Sequence, residues 1–263
     1  MNFGASLKKR WLTAAVGLPV LAGAIALGGW ALAALTAVAA MAGMREFFAM
    51  TGKPGPLLEG AALLLGAAAV GSAVAGGWAL MGGVLAVALW LELLDFLRRF
   101  ANRGETAPPA GLLVAALLYV PFSLRFLCVF SPLETVFVLA VVMAADTGAY
   151  FAGNMLGGAK VWPAVSPGKT WAGTFGGIAA AGVVAAAFTA AATPGLVAMF
   201  GLGALLAVVS QLGDFFESAL KRAAGVKDSG TLLPGHGGIL DRIDGLLPAI
   251  LVFAAARSVV GLG

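Results

Sequence analysis

From Trp11 to Met50 the chain runs forty residues with no charged side chain before Arg45, twice the roughly 20 residues that an α-helix needs to cross a bilayer. Gly28 and Gly29 stand at the natural break, so the stretch reads as two antiparallel membrane helices. Lys8, Lys9 and Arg10 precede it, as they would a cleaved signal peptide. The apolar run nevertheless continues well past the roughly 7 to 15 residues of a signal's hydrophobic region, which makes it a first anchor. The same rule places further spans near 57–75, 78–98, 110–130, 133–152, 171–193, 195–217 and 241–260. The expectation is therefore an all-α, polytopic integral membrane protein of about nine helices. Residues 1–263 would form one membrane domain, with helices one to five over 1–130 and helices six to nine, carrying the chemistry on their loops, over 131–263.

Composition agrees: 61% of the 263 residues are hydrophobic and 11% charged, against about one quarter charged in a soluble domain. That excludes a soluble globular enzyme, and it excludes disorder, which needs the opposite balance. The single cysteine, Cys128, permits no internal disulfide and no cysteine-based metal site. The net charge of +4 does not indicate nucleic acid, because the sixteen basic residues are spread thinly among apolar runs.

Their placement instead reports topology. Lys8, Lys9, Arg10, Arg45, Lys53, Arg98, Arg99, Arg103, Lys160, Lys169, Lys221, Arg222, Lys227 and Arg242 all fall in alternate loops or at their edges, fourteen of the sixteen. The positive-inside bias then puts the amino terminus in the cytoplasm and the carboxyl terminus outside. Arg125 and Arg257 lie toward the other face, where they are expected to snorkel outward. The outer connections, Gly28-Gly29, Gly76-Gly77, Ser131-Pro132 and Thr193-Pro194-Gly195, are too short for an extracellular domain. The longest polar segments, about 153–170 and 218–240, share the cytoplasmic side, and function is expected there.

Six of the twelve acids, Asp146, Asp214, Glu217, Asp228, Asp241 and Asp244, fall at or between the cytoplasmic ends of helices six, eight and nine. Asp214 and Glu217 are three apart, as are Asp241 and Asp244, so each pair shares a helical face. Clustered carboxylates at membrane depth repel one another and lose solvation, so they need a cation or water. Hard oxygen donors without cysteine point to magnesium. Ion pairing with Lys221, Arg222 and Arg242 explains the same spacing equally well. The run Leu232-Leu233-Pro234-Gly235-His236-Gly237-Gly238 before the last span would let backbone amides approach an anion, as a phosphate cradle does, and equally suits an ordinary glycine turn with His236 as a structural hydrogen-bonding group. Ser166-Pro167-Gly168-Lys169-Thr170 looks like the end of a P-loop, but Pro163 stands where that motif requires glycine. Gly173 and Gly177 form a small-residue pair suited to packing helices or a dimer. Glu92, Asp95, Arg98 and Arg99 read as a mutually paired, solvated helix end.

The segment Ser218-Ala-Leu-Lys-Arg-Ala-Ala-Gly-Val-Lys-Asp-Ser-Gly-Thr-Leu-Leu-Pro-Gly-His-Gly-Gly-Ile-Leu-Asp-Arg-Ile-Asp244 resembles the signature of the phosphatidate cytidylyltransferases, also called CDP-diacylglycerol synthases. Asp146-Thr-Gly-Ala-Tyr-Phe-Ala-Gly, Ser166-Pro-Gly-Lys-Thr-Trp and Arg45-Glu-Phe-Phe resemble other blocks of that family, and the likeness runs from about 40 to 250. Ala172 departs from it, since the family commonly has glutamate or glutamine there. The resemblance implies an enzyme of the cell (inner) membrane that joins CTP and phosphatidate, with Mg2+, and works as a homodimer; a second monovalent cation is left open. It implies Asp214, Asp241 and Asp244, and more weakly Asp146, as metal ligands. Lys221, Arg222, Lys227 and Arg242 would bind phosphates, with Asp214, Lys221, Arg222, Asp241 and Asp244 at the catalytic centre. Ser166, Lys169, Thr170, Ser218, Asp228, Gly235, His236, Gly237 and Gly238 would border the substrates.

Two other readings fit a polytopic frame. A CTP-dependent polyprenol or phytol kinase would transfer the γ-phosphate to an alcohol and release CDP. A cation-coupled transporter would hold its acids near the bilayer midplane, whereas here they gather at one edge.

Overall fold

A computed structural model of the protein describes residues 3–103, 110–192, 195–233, 235 and 237–260. The chain is helical almost throughout: α1 (Phe3–Leu27), α2 (Gly29–Thr51), α3 (Pro56–Ala75), α4 (Gly77–Arg103), α5 (Leu112–Tyr119), α6 (Pro121–Leu124), α7 (Pro132–Leu156), α8 (Trp171–Ala187), α9 (Leu196–Ala223), α10 (Leu240–Ile243) and α11 (Leu246–Val260). Among the described residues six helices are long and apolar enough to cross a membrane, namely α2, α3, α4, α7, α8 with the turn that follows it, and α9. The other three expected spans are represented by shorter apolar helical stretches, Ala15–Leu27, Leu112–Cys128 and Leu246–Val260. The break between α1 and α2 falls on Gly28 and Gly29, whose φ of 60° and 47° lie in the left-handed region open to glycine.

Three expected boundaries move. The span over 110–130 is broken where Pro121, which has no N–H to donate, ends α5, and a 3-10 turn at Arg125–Cys128 closes the segment. The span over 195–217 extends to Ala223. The last span is interrupted at Asp244-Gly245, so Asp241 and Asp244 do not share a face of one continuous helix. The loop over 153–170 also contains an antiparallel hairpin, β1 (Lys160–Trp162) and β2 (Ser166–Thr170), with Lys160 opposite Thr170.

Two compact units divide the chain: residues 1–129 with 228–240, and residues 130–227 with 241–263. In the first, Ala40, Met44 and Phe48 of α2 are buried with Ala62 and Ala69 of α3 and Leu117 of α5. The Glu92 carboxylate is turned inward, and its Oε1 accepts from Leu112 N at 2.8 Å, serving one of the amide groups that a helix start leaves unbonded. Glu92 therefore leaves the solvated charge group expected at the end of α4, where Asp95 pairs with Arg99 at 2.9 Å.

In the second unit, Phe137 and Phe253 meet at 5.3 Å between centroids, with Phe130 and Phe188 edge-on to them. Ser131 begins α7 with a reciprocal cap: its Oγ accepts from Glu134 N, and Glu134 Oε2 accepts from Ser131 N at 2.7 Å. Glu134 also takes a bidentate pair from Arg257 at 2.9 and 2.8 Å. Arg257 thus binds a carboxylate inside the protein. Arg125 of the first unit does not reach outward either: it is 3% exposed and lies 4.6 Å over the Trp78 ring. Both were expected to snorkel; a carboxylate in one case and an aromatic face in the other hold them in place.

Glycine brings α7 and α8 together backbone to backbone. A Cβ at Gly173 would stand 2.8 Å from the Ala149 carbonyl, and one at Gly177 would stand 2.7 Å from that of Ala145. The small-residue pair read from the sequence therefore packs two helices of one chain. Gly176 is tighter still, since its Cβ would collide with Ala152 and lie 3.0 Å from the Gly148 carbonyl. Gly176→Leu is expected to cost about 2 kcal/mol or more by overpacking, seen as a lower thermal midpoint in detergent. Gly201→Leu, where nothing lies within 4 Å of the added Cβ, should leave it unchanged.

Candidate functional site

In the second unit a cavity of about 420 Å³ opens between α7, β2, α8 and α9. α7 contributes Asp146, Tyr150, Gly153 and Asn154, β2 contributes Gly168, Lys169 and Thr170, and α9 contributes Gln211 and Asp214. Local chemistry accounts for each placement. Thr170 ends the hairpin and caps α8, its Oγ1 accepting from Gly173 N at 3.1 Å. Gly153 and Gly173 pack against that same Oγ1, which only residues without a side chain permit. The hairpin projects Lys169 onto α9, where its ammonium pairs with Asp214 Oδ2 at 2.7 Å and lies 4.7 Å over the Phe215 ring. Trp162 packs at a tilt against the same ring, 5.8 Å between centroids, fastening β1 to α9. Ser218, one turn beyond, donates to Asp214 Oδ1 at 3.3 Å.

A second charged cluster in this unit centres on Lys221. Its ammonium pairs with Glu217, which is fully buried, and donates to Asp241 Oδ1 at 2.6 Å. Asp244 sits in the turn before α11, where its Oδ1 accepts from Gly245 N at 2.7 Å. This turn is pressed onto α9: any Cβ on Gly213 would collide with the Asp244 carbonyl, and any on Gly245 with the Ser210 hydroxyl. Burial first, and then the negative charge of Asp214, push the Asp244 carboxyl up to about 8. Its proton is therefore harder to lose than that of an ordinary carboxyl, and a nearby cation would ease that loss.

The structure thus gathers Asp146, Lys169, Thr170 and Asp214 around one cavity and ties Lys221 to Asp241 and Glu217 in an ion-pair cluster. Arg222, Lys227 and Arg242 are exposed, and Ser166 is half-buried at the start of β2. Tyr150, which stands in the Asp146-Thr-Gly-Ala-Tyr-Phe-Ala-Gly block, lines the cavity with Asn154 and Gln211; nothing in the spacing of the last two distinguishes them from other membrane-helix positions.

Asp228, Gly235, Gly237 and Gly238 belong to the first unit, while His236 and Pro234 lie outside the described residues. The backbone turns tightly here: Leu233 N donates to Gly237 O at 3.0 Å, with φ of 80° at Gly235 and 84° at Gly237. What organises the segment is Glu46 of α2, 8% exposed, which accepts from Ser229 Oγ at 2.9 Å, Ile239 N at 3.0 Å and Leu240 N at 2.7 Å. Gly230 and Gly238 are packed on its carboxylate so closely that a Cβ on either would collide with it. Gly238, read from the sequence as part of a phosphate cradle, presents its open face to Glu46. The only sequence signal for Glu46 was its place in the Arg45-Glu-Phe-Phe block.

Magnesium fits the cavity in one specific way. Among the described residues no three acidic, histidine or cysteine side chains gather into a cage, but Asp146 and Asp214 line one cavity, near enough for their charges to repel. Magnesium is commonly held by one or two carboxylates plus substrate phosphates, and those two carboxylates supply that share.

The two lysines should separate cleanly on substitution. Lys221→Met leaves the buried Glu217 without its cation and is expected to destabilise the protein by about 3–5 kcal/mol, read as loss of monodisperse protein in detergent. Lys169→Met, whose partner Asp214 faces the cavity, should change stability by no more than about 1 kcal/mol, as for other part-exposed pairs, and so barely move the thermal midpoint.

The family model described as the cytidylyltransferase family matches residues 8–260. A phosphatidate cytidylyltransferase of Brucella suis is 49% identical over 150 residues, 56% of this chain and 55% of the relative. One from Pseudomonas aeruginosa is 46% identical over 130 residues, 48% of each chain, and one from Bacillus subtilis 48% identical over 113 residues, 42% of each. These matches span about half or less of the relatives' length. With the model matching nearly every residue, the chain belongs to the cytidylyltransferase family.

Proposed function

We propose that this protein transfers the cytidylyl group of CTP to phosphatidate, giving CDP-diacylglycerol and pyrophosphate. The observation that carries the reading is a cavity walled by two carboxylates, Asp146 and Asp214, and a lysine, Lys169, in a chain whose relatives are named for this reaction. One oxygen of the phosphatidate phosphate attacks the α-phosphorus of CTP, and the bond from that phosphorus to the bridging oxygen of pyrophosphate breaks in line. A phosphate monoester has its second pKa near 6, so the nucleophile is already about nine-tenths ionised at pH 7 and needs no strong base. What the site must do is hold two anions together in register. Lys169 supplies a cation already fixed by Asp214 and Phe215. Thr170 retains a hydroxyl proton to donate, because its oxygen is the acceptor in the α8 cap. Mg2+, held by Asp146 and Asp214 with the triphosphate, would neutralise the phosphate oxygens and the charge developing on pyrophosphate. Exposed Arg222 and Lys227 at the end of α9 would draw CTP toward the site.

Purified protein given labelled CTP, phosphatidate and magnesium should form a lipid-linked cytidine product, and chelation should stop it. Diacylglycerol, which lacks the phosphate, should not replace phosphatidate; release of CDP with diacylglycerol or a lipid alcohol would make the protein a kinase instead. Asp214→Asn and Lys169→Met should each lower turnover about a hundredfold or more, as losing one phosphate-stabilising group does elsewhere. With Asp244, whose charge reaches Asp214, as a further carboxylate for the cation, Asp244→Asn should lower turnover strongly while the protein stays folded, and Asp228→Asn should cost much less.

The proposal extends to orientation in the cell membrane, with the amino terminus and cavity cytoplasmic and the carboxyl terminus outside, supported by the fourteen-to-two division of basic residues. In a Cys128→Ser background, an impermeant thiol reagent applied to right-side-out vesicles should label a cysteine at Gly195 and spare one at Ala159. The reverse pattern would invert the topology.

A further inference from the structure

The first unit holds a second cavity, of about 820 Å³, which the proposed reaction does not use. It lies between the α2–α3 connection, which contributes Lys53, Pro54 and Gly55, and the last turns of α4, which contribute Asp95, Arg98, Arg99 and Asn102. Ala110, Leu112 and Leu113 also line it. Among the described residues three cations face it against one carboxylate, and that carboxylate is committed to Arg99 at 2.9 Å. Lys53 and Arg98 are exposed and have no ion-pair partner among the described residues. A concave surface whose described residues carry an excess of positive charge attracts an anion. Its position narrows which anion.

Asp95, Arg98, Arg99 and Asn102 fall at helical spacing along one stripe of α4, and at 100° per residue the rest of its circumference here carries Leu94, Leu97 and Phe100. All three are more than half exposed, at 55%, 57% and 53%, and Leu57 at the start of α3 is 83% exposed. α4 is one of the helices long and apolar enough to cross a membrane, and these exposed apolar side chains suit contact with lipid. A cationic cavity at the end of a membrane helix, rimmed by apolar side chains, matches a molecule with an anionic head and acyl tails. A soluble phosphate would use the cations and leave the rim idle.

We infer that this cavity binds the phosphodiester head group of an anionic membrane phospholipid, with Lys53 and Arg98 as its phosphate ligands and the acyl chains lying along Leu94 and Leu97. The site is separate from the cavity that holds Asp146 and Asp214, and its residues take no part in the proposed transfer. Arg99, steadied by Asp95, sets the floor, and Asn102 offers an amide to a head-group hydroxyl.

The test uses the full chain in nanodiscs of phosphatidylcholine containing a small fraction of phosphatidylglycerol, with the lipid retained by the protein measured by native mass spectrometry. Wild type should retain phosphatidylglycerol in clear preference to phosphatidylcholine. Each positive charge near an anionic lipid surface contributes about fivefold to binding, so Lys53→Gln with Arg98→Gln should lower retention about thirtyfold. Both side chains are exposed, so the double variant should keep its thermal midpoint, and Lys53→Arg with Arg98→Lys should keep binding, since charge is conserved. Equal retention of the two lipids by wild type, or unchanged preference in the double Gln variant, overturns the inference. Inorganic phosphate and pyrophosphate supply the other arm: if either displaces phosphatidylglycerol at equal concentration, the site is one for soluble phosphate and the lipid assignment falls. The readout needs no turnover, so failure of the proposed reaction and failure of this site are distinguishable.

Discussion

Backbone-to-backbone contact between α7 and α8 is the constraint on which the candidate site depends. Gly148, Gly173, Gly176 and Gly177 leave room for the backbone and alanine methyls of the facing helix, and in hydrocarbon, where apolar side chains gain nothing by leaving lipid, such close packing supplies the association energy. The consequence is positional. Gly153 and Gly173 are at once members of this seam and walls of the cavity, so the geometry that joins the helices also fixes where Thr170 caps α8 and where Lys169 emerges. A site built on rigid elements in this way holds its charges ready before substrate arrives.

Charge in so apolar a chain is retained only where something inside the protein compensates it. Glu134 closes the α7 cap with Oε2 and binds Arg257 with both oxygens; Glu92 turns inward to serve the amide of Leu112; Arg125 lies against Trp78. In each case a hydrogen-bond or aromatic partner nearer than water decides the side chain's direction. Glu46 is the extreme example, one carboxylate tying together Ser229, Ile239 and Leu240 across nearly two hundred residues of sequence.

Much of the architecture was legible because membrane helices announce themselves by length and apolarity alone. The breaks at Gly28-Gly29 and at Gly76-Gly77 were readable because glycine marks the turn that joins two spans. Illegible features were those decided by a neighbour distant in sequence. The interruption at Asp244-Gly245 follows from the fit of that turn against Gly213 and Ser210 of α9, and no local pattern encodes it. The hairpin at 160–170 was missed because five residues of Ser-Pro-Gly-Lys-Thr carry no strand periodicity; its register comes from closing β1 on β2 and fastening Trp162 to Phe215. Of the carboxylates, Asp214 was found by scarcity and spacing, whereas Glu46 was marked only by its place in the Arg45-Glu-Phe-Phe block, because its partners Ser229, Ile239 and Leu240 lie far along the chain.

Two lysines of the second unit show how the same side chain acquires different roles. Lys221 has two carboxylates about it, one of them fully buried, so its charge is wholly spent on neutralising groups that would otherwise be stranded, and an arriving phosphate would have to displace one of them. Lys169 has one carboxylate, Asp214, which itself faces the cavity and repels Asp146. Adding an anion and a divalent cation there increases the number of opposite-charge contacts for all three groups, whereas adding them at Lys221 would break contacts already made. Electrostatics thus separates the cluster that holds α9 to the turn before α11 from the cluster able to accept a charged substrate, although spacing in the sequence presented their acids as one group.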